Sequence, residues 1–239
     1  MKRVHYIDTL RGFTIISMIF YHLFYDLVYI FGRDIEFYTI EKVRPWQISI
    51  AVSFFIISGI SSYLTKGDKL IKKGLIVSLL GLLISLVTYI FIRNELIIFG
   101  VLNGLGGSMI ICGFLKERLN KINIFWMIVF ILLFIIFYNI DAGYLNLFIY
   151  KIKVPEFLYR MNLFILGFPK ETFRSSDYFP LIPWIFIYLF GYGLGKLLKE
   201  KDFFGYYGSK NILSLVGKNS LKIYLLHQLV IYGLLELIF

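Results

Sequence analysis

The stretch from Leu10 to Phe31, LRGFTIISMIFYHLFYDLVYIF, decides the fold. Its length matches the roughly 20 residues that a helix needs to cross the hydrocarbon core of a bilayer. Three ionisable residues interrupt it: Arg11, His22 and Asp26. At about 3.6 residues per turn, the eleven steps from Arg11 to His22 bring a helix round to nearly the same face, roughly 16 Å further along. Asp26 follows one turn later. A basic residue at the membrane edge, an imidazole at mid-depth and a carboxylate thus share one stripe of a hydrophobic helix. Ionisable groups at such depth are expensive, and they mark a functional site by default.

Working outward, the whole chain has the composition of an integral membrane protein. It is 59% hydrophobic and 17% charged over 239 residues, with a mean hydropathy of +0.77. Soluble domains do not look like this. No stretch is polar enough for a separate soluble domain, so residues 1–239 read as a single transmembrane domain. The N-terminus starts basic and turns apolar as a signal peptide does, but its apolar run is long and aromatic, with no small-residue cleavage site. It reads as a retained span. The lone Cys112 excludes an intramolecular disulfide or a cysteine metal cluster. The net charge of +10 is spread in a way that suits lipid headgroups and topology, not nucleic acid.

Seven spans have about the right length: 10–31, 46–64, 70–92, 96–115, 122–140, 181–198 and 219–238. The fold class is therefore all-α, a polytopic bundle of about seven transmembrane helices. The fourth span is diluted by Asn103 and several glycines. A loop at about 141–180 holds a semi-apolar piece, Phe157 to Phe168, which could form a re-entrant or interfacial helix. With the N-terminus in the cytoplasm, the inner segments collect most of the basic residues: Lys2, Arg3 and Arg11, then the 66–73 and 116–121 clusters, then six lysines between 196 and 222. Basic residues favour the cytoplasmic side. That asymmetry gives N-inside, C-outside topology, an extracytoplasmic 141–180 loop, and residence in the cytoplasmic membrane. Gly100 with Gly104, and Gly191 with Gly195, have the spacing that lets helices approach closely.

Each polar residue in the membrane has a structural reading beside a functional one. His22 could simply hydrogen-bond a neighbouring helix. With Asp26 at i+4, it could instead be a base whose tautomer the carboxylate fixes. Arg11 could be a snorkelling anchor paired with Asp8, or a guanidinium clamp for a phosphate-bearing cofactor. Lys72 and Lys73 could join it on the inner face. His227 and Gln228, in NSLKIYLLHQ, could form a polar contact between spans, or meet substrate. In SSDYFPLIPW, Asp177 could cap the sixth span, while Pro180 and Pro183 fix its entry. Alternatively, Asp177 and Tyr178 could offer hydrogen bonds at the outer rim of a substrate cavity. No zinc spacing, P-loop or dinucleotide motif stands out, so no metal is expected, and GLGGS at 104–108 lies inside an apolar segment.

These residues also carry a resemblance. IDTLRGFTIISMIFYHLFYDL resembles the first helix of bacterial membrane proteins grouped with the catalytic domain of heparan-alpha-glucosaminide N-acetyltransferase. DYFPLIPWIFIYLFGYGLG and GKNSLKIYLLHQLVIYGLL resemble the same group. The spacing from Arg11 to His22 and the closing YLLHQ are similar to the membrane acyltransferase-3 family. The resemblance implies a polytopic enzyme that takes an acetyl group from cytoplasmic acetyl-CoA to an extracytoplasmic acceptor, usually a sugar or glycan. It implies His22 as the essential histidine, acting as base or acyl carrier with Asp26 orienting it. It implies Arg11 as the matching arginine; for such a reaction Lys72 and Lys73 would join it near the donor's phosphates, with Asp177, Tyr178, His227 and Asn103 toward the acceptor. The chain departs from the pattern in having fewer spans than the larger relatives, and in carrying Asn103 where many have histidine. In the animal enzyme His22 aligns with an asparagine, and the catalytic histidine of that enzyme has no clear match here.

Two other function classes fit the same features. One is a small-molecule or lipid-linked substrate permease or flippase, since intramembrane histidine and carboxylate also mark proton relays. Internal inverted repeats would support it, and none is visible. The other is a non-catalytic protein of envelope assembly. The oligomeric state stays open, a homodimer included. Scarce alanine with abundant Ile, Lys and Phe points to an AT-rich bacterial genome.

Overall fold

The computed structural model describes residues 4–147, 149–205 and 208–239. Lys2 and Arg3 lie outside them. The chain forms two compact units, Met1–Ile57 with Asp202–Phe239, and Ser58–Lys201.

In chain order, the helices of the first unit are α1 (His5–Tyr25) and most of α2 (Ile40–Tyr63). The end of α2 from Ser58 onward belongs to the second unit, which continues with α3 (Gly67–Phe91), α4 (Val101–Phe114), the short α5 (Lys116–Leu119) and α6 (Ile124–Phe137). A small antiparallel hairpin follows, β1 (Tyr144–Leu147) with β2 (Tyr150–Lys153), then α7 (Glu156–Arg160) and α8 (Leu181–Glu200). The chain returns to the first unit with α9 (Ile212–Lys218) and α10 (Ser220–Ile238).

Among the described residues, six helices are long and apolar enough to cross a membrane. Their bounds fall close to six of the seven segments expected from the sequence. The chain is an all-α, multi-pass membrane protein. Exposure agrees with that: on α3, Leu79 is 63% and Phe91 76% exposed. In water such a face would be a liability, whereas in lipid it is the normal outside of a bundle.

The fourth segment differs. Its helix has 14 residues and starts at Val101 rather than near 96. The reason is a pairing between distant segments that withdraws residues 96–100 from the helix. Ser176 N–H donates to the Leu96 carbonyl (2.9 Å), Phe179 N–H donates to the Phe99 carbonyl (3.0 Å), and Ile98 N–H donates to the Ser175 hydroxyl (2.8 Å). Similarly, the 157–168 piece forms only the five-residue α7 and a 3-10 turn at Phe164–Leu166, not one continuous helix.

Within the first unit, α1 lies against α9, α10 and the first part of α2. Ile15, Met18 and Ile50 are its buried core, covered by Trp46, Phe54, Val216 and Tyr224. Trp46 Nε1 donates to Ser17 Oγ (2.8 Å), and the Tyr38 hydroxyl donates to the Tyr21 carbonyl (2.8 Å). α9 begins with a reciprocal cap between Asn211 and Ser214, which supplies donors and acceptors for an otherwise unsatisfied helix start.

Within the second unit, small residues set the close helix approaches. A Cβ on Gly74 of α3 would stand 2.7 Å from the Gly106 carbonyl oxygen of α4. Gly195 of α8 meets the backbone of Ile60 in the same way, so the Gly191–Gly195 pair serves packing against the end of α2. Gly100, by contrast, is the residue before α4 and lies beside the Asp177 carboxylate.

Candidate functional site: a histidine pair in the first unit

His22 sits in the last turn of α1 and His227 in the middle of α10. Their ring centroids are 4.8 Å apart with the planes at 64°. The Nδ1 of His227 lies 2.6 Å from the Tyr224 carbonyl oxygen, one turn back. A carbonyl only accepts, so this nitrogen is the one that carries hydrogen. In the neutral ring, Nε2 then holds the free lone pair. That Nε2 is buried and has no hydrogen-bond partner among the described residues.

Asp26 is fully buried. Both its carboxylate oxygens accept from Gln228 Nε2, each at 2.8 Å. The amide of Gln228 is thereby turned so that its Oε1 points away from the carboxylate, and this oxygen too has no partner among the described residues. The carboxylate expected to orient His22 thus holds the neighbour of His227. Asp26 also opens a widened turn, Asp26–Ile30, in which Phe31 N–H donates to the Asp26 carbonyl (2.9 Å) five residues back. Turns of this π type recur at functional sites.

Arg11 stands near the start of α1. Its guanidinium donates to Asp8 Oδ1 at 2.9 Å, the i, i+3 pair anticipated from the sequence. Asp8 is 4% exposed. One edge of the guanidinium fork is thereby engaged.

The remaining candidates belong to the second unit, where Asp177, Tyr178 and Asn103 each have a visible local role. Asp177 Oδ2 accepts from Val101 N–H (3.1 Å), the first turn of α4. It therefore caps α4, and not α8, whose cap position is Pro180 without a side-chain bond. Burial pushes the Asp177 carboxyl up to about 6, against the opposing pull of the Val101 N–H. The Tyr178 hydroxyl donates to the Phe164 carbonyl. Burial, then the charge of Asp141, raises that phenol above its ordinary range. Asn103 Nδ2 donates to the Ser78 carbonyl (3.2 Å), while its buried Oδ1 has no partner among the described residues. Lys72 and Lys73 are exposed on the first turns of α3. No cluster of His, Cys, Asp and Glu able to hold a metal occurs among the described residues.

A family model described as heparan-alpha-glucosaminide N-acetyltransferase, catalytic, matches residues 3–229. The chain belongs to this family. No curated protein and no solved structure matches it. As a member of the heparan-alpha-glucosaminide N-acetyltransferase catalytic family, the protein is a multi-pass membrane protein of an acetyltransferase type. The match runs through α1 and ends two residues beyond His227, so both histidines fall within it.

Three parts of this site escaped the sequence reading: the meeting of His22 with His227, the pairing of Asp26 with Gln228, and the tautomer set by Tyr224. A signal for the histidine pair was nonetheless present. GFTIISMIFYH and GKNSLKIYLLH both place a histidine ten residues after a glycine, Gly12 to His22 and Gly217 to His227.

Proposed function

We propose that the protein transfers an acetyl group from cytoplasmic acetyl-CoA to a hydroxyl or amine of a sugar or glycan on the far side of the cytoplasmic membrane. The observation that carries this reading is the His22–His227 pair, two imidazoles 4.8 Å apart within a membrane helix bundle of an acetyltransferase family. In the reaction, the acceptor oxygen or nitrogen bonds to the acetyl carbon and the thioester carbon–sulfur bond breaks. The electron pair leaves on the CoA sulfur. An imidazole takes the acceptor's proton and returns it to the thiolate. One imidazole of the pair serves either as that base or as a transient carrier of the acetyl group, and His22 is the one that the family resemblance names.

Asp26 acts through Gln228, holding α1 and α10 in register around the histidines. Arg11 is suited to the phosphates of the donor, because a guanidinium meets phosphate oxygens in a two-pronged geometry. Its bond to Asp8 fixes the direction of the fork.

The test is thermal stabilisation of the detergent-purified protein by acetyl-CoA, against CoA and adenine nucleotide, in wild type and Arg11→Ala. A ligand that binds only the folded state raises the melting temperature by mass action. A saturable shift with acetyl-CoA, reduced in Arg11→Ala, is expected. Absence of any shift at millimolar acetyl-CoA, together with proton-coupled flux in liposomes, would replace this reading with the permease.

A further inference from the structure

We infer that Nε2 of His227 is the atom that takes the proton from the acceptor, and that Gln228 Oε1 receives a second hydrogen bond from the same class of ligand, a polyhydroxylated or amino sugar. This assignment rests on the acyltransferase reading and moves the base from His22 to His227.

The unpaired groups of His227 and Gln228 have the same polarity. Tyr224 fixes hydrogen on Nδ1 at 2.6 Å, which leaves Nε2 as an acceptor. Asp26 takes the Gln228 amide at 2.8 Å on both oxygens, which leaves Oε1 as an acceptor. Both atoms are buried and have no partner among the described residues. Buried acceptors without partners are rare in folded proteins, since leaving one unmet forfeits the hydrogen bonds it made to water. Two of them on consecutive residues call for a ligand that brings donors. The acetyl carbonyl and the phosphates of acetyl-CoA bring acceptors, and its pantetheine amides and hydroxyls bring donors that give up no proton in the transfer. A hydroxylated or amino sugar brings O–H and N–H groups, so the chemistry selects the acceptor substrate rather than the reacting end of the donor.

A second consideration separates the two imidazoles. His227 has its proton-bearing nitrogen assigned by a carbonyl, which is the arrangement that readies the other nitrogen as a base. His22 packs edge-to-face against it and against Tyr21, at 4.8 and 5.6 Å between centroids. The step balances as follows. The acceptor oxygen or nitrogen forms its bond to the acetyl carbon, the carbon–sulfur bond breaks, and CoA leaves as thiolate. The acceptor's proton moves to Nε2, then from the imidazolium to the thiolate, which regenerates the neutral ring.

The experiment measures release of CoA thiol from acetyl-CoA, with glucosamine, glucose and their oligomers as acceptors, in wild type, His227→Gln and His227→Ala. Glutamine retains a donor for the Tyr224 carbonyl but carries no base. The expected result is a fall in turnover of at least about 100-fold in both variants. The acetyl-CoA thermal shift should persist, and added imidazole should recover part of the His227→Ala activity. Turnover of His227→Gln within about threefold of wild type would overturn the assignment and leave His227 a helix-packing residue. A wild-type protein that is neither stabilised by acetyl-CoA nor releases thiol with any of these sugars would instead overturn the acyltransferase reading, and this assignment with it.

Discussion

Gly12 on α1 and Gly217 on α9 meet backbone to backbone: a Cβ on Gly12 would overlap the Leu213 carbonyl oxygen, and one on Gly217 would overlap the Asp8 carbonyl oxygen. Ten residues beyond this contact, on both strands of chain, stand His22 and His227. The glycine pair therefore sets the distance between the two segments that carry the imidazoles. Gly12→Ala or Gly217→Ala should push the backbones apart, since carbonyl oxygens cannot rotate away as side chains do. Overpacking a tight site costs about 1–3 kcal/mol. Thermal unfolding in detergent should show this loss for either alanine, with loss of acetyl transfer. Gly233→Ala, on α10 with no atom within 4 Å of the added methyl, should be neutral or stabilising. Equal melting temperatures for all three variants would refute the crossing.

The bond from Gln228 to Asp26 supports a second prediction. Gln228→Leu removes two 2.8 Å hydrogen bonds from a fully buried carboxylate. Hydrogen bonds to charged groups contribute about 1.5–3 kcal/mol. The single variant should unfold at lower temperature. The double variant Asp26→Leu with Gln228→Leu should recover part of the loss, because removing both polar partners of a buried pair is less damaging than removing one. A double-mutant cycle with zero coupling energy would contradict this.

How much of this could be read from the sequence depends on the range of the interactions involved. Apolar runs of bilayer length are local and continuous, so α1, α2, α3, α6, α8 and α10 were legible, with ends displaced by up to about six residues. Arg11 with Asp8 was legible because an i, i+3 pair on one helix needs no tertiary knowledge. The shortening of α4 was not, because it depends on pairing residues 96–99 with 175–179, more than seventy positions away. Asp26 illustrates the same limit. Helical spacing predicts His22 as its neighbour, but a carboxylate pairs with whichever donor the tertiary fold brings to it. That donor came from Gln228, 202 residues along the chain, which spacing within one helix cannot disclose.

Asp177 supplies a pH dependence. Its carboxyl is raised from an ordinary 3.8 to about 6 in the fold. The folded protein thus holds the proton more tightly than the unfolded chain. The contribution of this group to stability is complete below about pH 4, declines between about 4 and 6, and is level above. The full shift corresponds to about 3 kcal/mol, and less because the residue keeps partial contact with solvent. Asp177→Asn retains an oxygen for the Val101 N–H and cannot ionise. The difference in melting temperature between wild type and Asp177→Asn should therefore move against the wild type as pH rises from 4 to 6. A constant difference across that window would show that the carboxyl titrates normally.

Lys116 closes the end of α2. Its Nζ donates to the Ser62 carbonyl at 3.0 Å and the Tyr63 carbonyl at 3.1 Å, the last carbonyls of the helix. The same ammonium lies 5.8 Å from the Tyr63 ring centroid and 5.3 Å from that of Tyr192. A cation at a helix C-terminus is favoured by the helix dipole, by about 0.3–1 kcal/mol. Ring contact at partly desolvated sites adds about 0.5–1 kcal/mol. Lys116→Met keeps the aliphatic stem but leaves both carbonyls without this donor, so it should lower stability by about 1–2 kcal/mol. Lys116→Arg should recover only part of that, because a planar fork does not place its hydrogens where a compact ammonium does. The measurement is thermal unfolding of both variants at low and high salt. Most of the loss should survive high salt, because partly buried groups are screened less than exposed ones. A Lys116→Met protein that melts with the wild type would show that α2 ends without its help.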